Sequence, residues 1–324
     1  MRIALAVLLL LPALAFSQAP QSNWKPEKSV ELIVGAAPAG ANDRIGRSLQ
    51  RMLQDMKLAN PVVVVNKPGG GQAIAFSYLN THPANPHYLG LASSSWLTTV
   101  AAARGTISHR DVTPIVKFLD EYQIYFVRAD SPIRTARDIV DRLKKDPSSL
   151  SFGFSTAAGN PLHISIVTLA RQAGVEPSKV KAVVFNSGTD TALQVAGGHL
   201  DVGVQSPGSA AQLAEAGKIR IIAVGAPKRH PGALAHVPTL REQGINVDAN
   251  VFYTIFAPKG INAVQTAYWD QAITRIVHSD QIKKDLEQNY WTIDVIGHRE
   301  LPAFLEREHE NFRRALADIG MLKP

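Results

Sequence analysis

The sequence predicts an α/β protein built on open parallel sheets, and three observations carry that prediction. Short apolar, β-branched runs alternate along the chain with segments of helical spacing. The runs are apolar on both faces, as strands buried beneath flanking helices are. The chain, at 324 residues, is long enough for two domains of ordinary size.

The elements follow in order. The run SVELIVG leads into a helix that sets Ile45, Leu49, Met52, Leu53 and Met56 at i, i+4, i+7, i+8 and i+11, on one face. PVVVVN, HYLGLAS, QIYFVR, LSFGFS, VKAVVFN, LDVGVQS and IRIIAVG read as further strands. Asn160-Pro161 and Ser206-Pro207 each read as a helix N-cap followed by proline at the first helical position. Near the end, NAVQTAYWDQAITRIVHS and LPAFLEREHENFRRALADIG are amphipathic and are expected to pack on an outer sheet face. Parallel strands joined by right-handed crossovers bind ligands beyond their carboxyl ends, so the strand-to-helix loops are where function is sought.

Composition narrows the setting. Residues 1–17, MRIALAVLLLLPALAFS, combine Arg2, a short apolar run and small residues at Ala15 and Ser17. They read as a secretory signal peptide cleaved after Ser17, which predicts a periplasmic protein. No later segment reaches the roughly 20 apolar residues of a spanning helix, so no membrane insertion is expected. With no cysteine, stability cannot rest on disulfides. The net charge of +7 is spread without a Lys/Arg tract, so no nucleic-acid partner is expected.

The loops after the strands share a character: GAAPAGAND, NKPGGGQ, SSSWLTT, STAAGNPLH, NSGTDT and QSPGSAAQ. Apart from Lys67 they hold no Lys or Arg, and apart from Asp43 and Asp190 no carboxylate. Each loop alone reads as the caps and glycines that any such connection needs. Across all six, the charge-poor pattern describes helix N-termini whose free N–H groups, flanked by hydroxyls and amides, can hold a carboxylate or phosphate without a cationic side chain.

Catalytic motifs are incomplete. GFSTAAG offers Gly153 and Ser155 but lacks the second glycine of a nucleophile elbow, leaving a secreted serine hydrolase using Ser155 and His163 as the alternative from another class. His163 is expected in the first turn of its helix, pointing at the cleft or packed beside it. His309-Glu310 is followed by Arg313 where a zinc motif needs a second histidine, and KPGGGQ lacks the Lys-Ser/Thr of a P-loop. No cofactor or metal is expected.

Taken together, SVELIVGAAPAGANDRIGRSL, NPVVVVNKPGGGQAIAFSYL, LSFGFSTAAGNPLHISIVTLARQAGV, VVFNSGTDTALQVAGGHLDVGV and GKIRIIAVGAPKRHPGALAHVPTLREQGI resemble the Bug family. These are the substrate-binding proteins of tripartite tricarboxylate transporters, of the type called TctC. The resemblance runs from about Trp24 to the C-terminal helix, and its most specific pieces are N-K-P-G-G-G, A-G-G-H-L-D-V and VPTLREQG after the K-R-H-P run.

It implies a type II-like, two-domain periplasmic-binding-protein fold, each domain a mainly parallel sheet flanked by helices, with the ligand in the cleft between. Domain 1 is then residues 24–122 plus 254–324, and domain 2 residues 123–253, joined by two hinge strands. The implied ligand is a small organic carboxylate, a di- or tricarboxylate or an aromatic acid. The implied partners are the inner-membrane transporter components, with a membrane sensor as the alternative destination, and the protein is expected to be a monomer.

The residues expected to bind the ligand are Ala36, Ala37, Pro38, Gly40, Asn42 and Asp43 in the first loop, and Ser93, Ser94, Ser95 and Trp96 in the third. Ser155, Thr156, Ala157, Gly159, Asn160 and His163 follow in the fourth, Asn186, Ser187, Gly188 and Thr189 in the fifth, and Gln205 in the sixth. Ala36, Ala37 and Ala39 depart from the family's P-F-P-P-G-G pattern and widen or dry that wall. Asp43 keeps the acidic position, either capping its helix or orienting a bound water. Gln205 stands where many members carry an acid, which disfavours an amino-acid ligand. Trp96 either stacks on a flat ligand or packs beneath the loop.

Overall fold

A computed structural model describes residues 24–38, 40–104 and 107–322; the expected leader, residues 1–17, and Ala39 lie outside the described residues. The first elements are β1 (Val30–Val34), α1 (Ala41–Asp55), β2 (Val62–Asn66), α2 (Ala73–Asn80), β3 (Tyr88–Ser93), α3 (Ser94–Ala101) and β4 (Val112–Tyr122). The middle of the chain forms β5 (Ile124–Arg128), α4 (Ala136–Lys145), β6 (Ser151–Ser155), α5 (Pro161–Gln172), β7 (Lys181–Phe185), α6 (Gly188–Ala196), β8 (Val202–Gln205), α7 (Ala211–Glu215) and β9 (Ile219–Val224). It ends with β10 (Asn250–Pro258), α8 (Ala263–Val277), α9 (Lys283–Asn289), β11 (Trp291–Gly297) and α10 (Leu301–Ala317).

The strands form two sheets, ordered β11-β4-β10-β3-β1-β2 and β7-β6-β8-β5-β9. In the first, β1, β2, β3 and β4 run one way and β10 and β11 the other. In the second, β5 alone opposes β6, β7, β8 and β9. The sheets share one plan: three parallel strands in the order second, first, third, then an antiparallel strand arriving from the other half of the chain. Parallel register brings the carboxyl ends of neighbouring strands level, Val34 beside Asn66 and Ser155 beside Phe185, so their following loops gather at one edge of each sheet.

The chain passes between the sheets at two adjacent places. Gln123 donates its N–H to Ala249 O, Gly225 to Gln123 O and Ala249 to Gly225 O, each at 2.8 Å. Gly225 is required there, because a Cβ would stand 2.5 Å from that of Ala249. β10 pairs within the first sheet from Asn250, opposite Tyr122.

Local rules explain most elements. On α1, Ile45, Leu49, Met52 and Leu53 are buried while Arg44, Arg47 and Arg51 face out, the expected stripe. Asn160 caps α5 by accepting from His163 N at 3.0 Å, with Pro161 following. Ser206-Pro207 opens only the short 3₁₀ turn Pro207–Ser209, and Ser206 makes no side-chain cap. VKAVVFN is not buried on both faces. As β7 it is the outermost strand of its sheet, and Val183 and Val184 stay 43% and 45% exposed.

The C-terminal helices divide. α8 packs across β4 and α1 as expected, whereas α10 lies against α3, α5 and β4 and so joins elements of both sheets. Ile164 and Val167 of α5 share one apolar cluster with Phe312 and Leu316 of α10, and Arg171 pairs with Asp318 just beyond it. Amphipathic spacing specifies that a helix has an apolar face, not which partner covers it.

Candidate functional site

A cavity of about 580 Å³ lies where the strand-end loops of both sheets meet. The first sheet contributes Gly35, Ala36, Ala41 and Asn42 after β1, Gly70, Gly71 and Gln72 after β2, and Ser93, Ser95, Thr98, Thr99, Ala102 and Arg104 along α3. The second sheet contributes Thr156, Ala157, Ala158, Gly159 and Asn160 after β6, and α10 adds Leu316.

One buried side chain ties the first three loops together. Gln72 donates Nε2 to Ser93 Oγ at 2.7 Å, and its Oε1 accepts from Ser93 N at 3.1 Å and Asn42 Nδ2 at 3.3 Å. The glycines around it are set by close approach. A Cβ on Gly35 would lie 2.7 Å from Gln72 Cβ, and one on Gly71 would lie 2.2 Å from Thr99 Oγ1. Gly71 also sits at φ +58°, in the left-handed region that a side chain disfavours.

Two helices open on this cavity with no side-chain cap, α1 behind Gly40 and α3 behind Ser93. Their first-turn N–H groups have no helical acceptor and carry the positive end of the helix dipole. Across the cavity, Thr156 holds φ +77°. Its conformation is braced by its N–H on Phe185 O at 2.9 Å and by Asn160 Nδ2, which reaches Thr156 Oγ1 at 2.7 Å and Ser155 O at 2.8 Å. A strained non-glycine residue so heavily tied is characteristic of a functional loop. Among the described lining residues there is no carboxylate, and Arg104 is the single cation.

Of the expected residues, Ala36, Asn42, Ser93, Ser95, Thr156, Ala157, Gly159 and Asn160 are in the lining and the others are not. Ala37 and Pro38 are exposed beyond the rim, and Gly40 stands just ahead of α1. Asp43 does not occupy the N-cap position of α1, which is Gly40. It is buried inside the first turn, where Arg47 Nε donates to it at 2.8 Å and Asn66 Nδ2 at 2.8 Å. Trp96 is outside the lining: its ring stacks on Phe76 at 3.6 Å and meets Phe256 edge-on, in the core beneath α3. Ser94 is buried beside it, its hydroxyl without a partner among the described residues.

Ser155 donates to Gln205 Oε1 at 2.9 Å, and Gln205 in turn donates to Thr191 Oγ1 at 3.0 Å. Gln205 thus braces the β6, α6 and β8 ends. Ser187 caps α6 by accepting from Asp190 N at 3.1 Å, with Asn186 and Thr189 exposed on either side of that turn. Gly188 packs so closely that a Cβ would lie 2.4 Å from Ser209 Oγ. His163 accepts the Gly159 N–H on Nδ1 at 3.0 Å and stacks on Phe154 at 4.6 Å, and burial lowers its pKa. It is a neutral structural imidazole, and Ser155 is engaged with an amide instead of with it. The two do not form a nucleophile and base.

Sequence reasoning missed Gly70, Gly71 and Gln72, although N-K-P-G-G-G was visible as a motif. It also missed the side of α3 and Arg104, for which a row at i, i+3, i+4 and i+7 from Ser95 was the available signal. Lys67, the one cation in the expected loops, lies 4.2 Å over the Tyr78 ring instead. His309 meets His109 at 5.0 Å between rings, but no group of three potential metal ligands gathers among the described residues.

Glu121 at the end of β4 is buried, and among the described residues the Tyr253 hydroxyl donates to it at 3.3 Å. Burial pushes its pKa up to about 7, with Arg44 and Tyr253 opposing. A raised carboxyl pKa stabilises the fold below the unfolded value and loses that contribution as pH rises through about 7. Glu121→Gln is therefore expected to flatten the decline in unfolding free energy between about pH 5 and 8 by roughly 2–3 kcal/mol. Urea titrations across that range check this, and parallel curves for the two proteins would refute it.

Two sheets of one plan, a cavity at the carboxyl ends of their parallel strands and two adjacent crossings behind it define a solute-binding receptor. The chain belongs to the TctC family: the model of the tripartite tricarboxylate transporter family receptor matches residues 45–319. Among curated relatives, a protein encoded in the gbd 5′ region of Cupriavidus necator is 27% identical, over 83% of this chain and 78% of its own. BugT of Bordetella pertussis is 24% identical, over 79% and 78%.

Among solved structures, a TctC solute-binding protein from Polaromonas superposes with a TM-score of 0.78 at 23% identity, over 90% of this chain and 99% of that one. A Rhodopseudomonas palustris protein with adipate gives 0.73 at 21%, over 91% and 98%, and MatC of that organism with malate gives 0.68 at 18%, over 90% and 99%. The family is one of transporter receptors that bind solutes, not of enzymes.

Proposed function

We propose that this receptor captures a small organic acid in the periplasm, exported there by the leader in residues 1–17, and delivers it to the membrane components of a tripartite tricarboxylate transporter. The observation that carries the reading is the cavity itself. Two uncapped helix N-termini meet there beside Asn42, Ser93 and Ser95, opposite the tied Thr156 turn, with no lining carboxylate among the described residues to repel an anion. Each helix end is worth about 0.3–1 kcal/mol and up to about 2 when partly buried. Charge-assisted hydrogen bonds add about 1.5–3 kcal/mol each, together enough for the roughly −8 kcal/mol of micromolar binding.

The malate and adipate held by two structural relatives fit this ligand class. We further take residues 24–122 plus 254–324 and 123–253 as two domains, the second boundary falling within β10, which joins the first sheet from Asn250, and infer that they close on the acid by bending near Gln123 and Ala249. That closure would bring Asn186 and Ser187 toward it.

Ala157 is exposed and faces the cavity, so Ala157→Trp fills the site without disturbing the core. Wild-type protein is expected to gain about 2.7 kcal/mol of apparent stability at a concentration of acid 100 times Kd. In a thermal-shift and calorimetric screen of mono-, di- and tricarboxylates, including aromatic acids, the variant should melt as the wild type does but gain nothing from any acid. An undiminished response in Ala157→Trp would move the site elsewhere.

A further inference from the structure

Resting on the carboxylate reading, we infer that Arg104 sets the length of the acid this cavity accepts, by holding a second carboxylate at the far end of α3. The cavity runs along that helix, since Ser95, Thr98, Thr99 and Ala102, at i, i+3, i+4 and i+7, form one row of its wall. Thr98 and Thr99 both donate their hydroxyls to Ser95 O, at 2.8 and 3.1 Å, so the middle of that wall offers a ligand little hydrogen bonding. The positive end of the helix stands at one extreme and Arg104 at the other.

Arg104 is held in place by its backbone. Past the end of α3, Ala103 N–H bonds Val100 O at 2.9 Å and Arg104 N–H bonds Thr99 O at 3.0 Å, closing the helix through Ala103 at φ +52°. A cation at a helix C-terminus is favourable by itself. What sets this one apart is that it faces the cavity and forms no ion pair among the described residues. Among the described residues the lining holds no carboxylate that could receive a ligand ammonium, and Arg104 matches a second acid group.

The helix supplies a ruler. From Ser95 to Ala102 it rises about 10 Å, at about 1.5 Å per residue. A guanidinium reaching back over about one turn would put an acid group meeting it roughly 5–6 Å from one at the N-terminal turn. An extended carbon chain advances about 1.25 Å per bond, which places the two acid carbons of a six-carbon diacid about 6 Å apart and those of a four-carbon diacid about 4 Å apart. Straight-chain acids of about six carbons or more, or para-substituted aryl diacids, span the distance, and four-carbon diacids do not.

The test is calorimetry of the mature protein with straight-chain diacids of four to eight carbons and the monoacids of equal length. Wild-type affinity is expected to rise at least about tenfold from the four- to the six-carbon diacid. Arg104→Gln should lower the ratio of six-carbon diacid to six-carbon monoacid affinity by about tenfold or more, and Arg104→Lys by less. An affinity independent of length, or an unchanged ratio in Arg104→Gln while monoacids still bind, overturns the role of Arg104 and leaves the carboxylate reading standing. A wild-type protein that binds none of these acids, nor any acid of the broader screen, overturns both.

Discussion

Lys117→Met is expected to destabilise the protein by about 3–5 kcal/mol, because it strands a buried carboxylate. Lys117 and Asp120 are each 1% exposed. The ammonium lies 2.9 Å from Asp120 Oδ2 and 2.5 Å from Asp294 Oδ2, and Asp120 also accepts from Asn250 Nδ2 at 2.8 Å. One ion cluster therefore links β4, β10 and β11 beside the crossing between the sheets, on the wall of a second cavity of about 640 Å³. Burial raises the Asp120 pKa to about 7 even with Lys117 pulling it down.

Without that pull the carboxyl pKa rises further, so the variant should lose more stability at pH 8 than at pH 5, where the acid takes up a proton. Adding Asp120→Asn removes the stranded charge and should restore much of the loss. Urea denaturation at the two pH values checks all three statements. A loss below about 1 kcal/mol at pH 8 would mean that water reaches the cluster and screens it.

Gln72→Ala is expected to cost about 2–4 kcal/mol and to weaken acid binding at least about tenfold. The side chain is 5% exposed and satisfies the backbone N–H and hydroxyl of Ser93 together with Asn42, two residues of the cavity wall. Removing it leaves those groups unpaired and opens space beneath the first turn of α3. Its backbone, at φ +76°, is strained for any side chain. Gln72→Gly should accordingly be the more stable of the two by about 1 kcal/mol while binding as weakly as Gln72→Ala. Denaturation and calorimetry on both separate the hydrogen-bond loss from the strain. Wild-type affinity in Gln72→Ala would show that the wall does not depend on this network.

Much of the cavity was legible because its chemistry is local. Ala36, Asn42, Ser93, Ser95, Thr156, Ala157, Gly159 and Asn160 were expected there as small or capping residues at strand ends, and strand ends gather wherever parallel strands run in register. The N-K-P-G-G-G stretch showed as a motif, but nothing local says that Gly71 must clear Thr99 or that Gln72 reaches Ser93. Trp96 follows three serines and could be placed at the cavity or in the core with equal ease; the stack on Phe76 decides it. Gln205, read as a change in the ligand's environment, turned out to brace Ser155 and Thr191.

From sequence alone came the alternation of strand and helix, the apolar stripe of α1, the Asn160 cap and the family. Each depends on residues within a few positions of one another, or on an ordered series of motifs. Only the tertiary structure decided that α10 joins elements of both sheets, that Asp43 is sealed by Arg47 and Asn66, and that Arg104 faces the cavity. Those facts depend on the distance and angle at which remote segments pack, and a side chain's own chemistry carries no record of which distant neighbour will cover it.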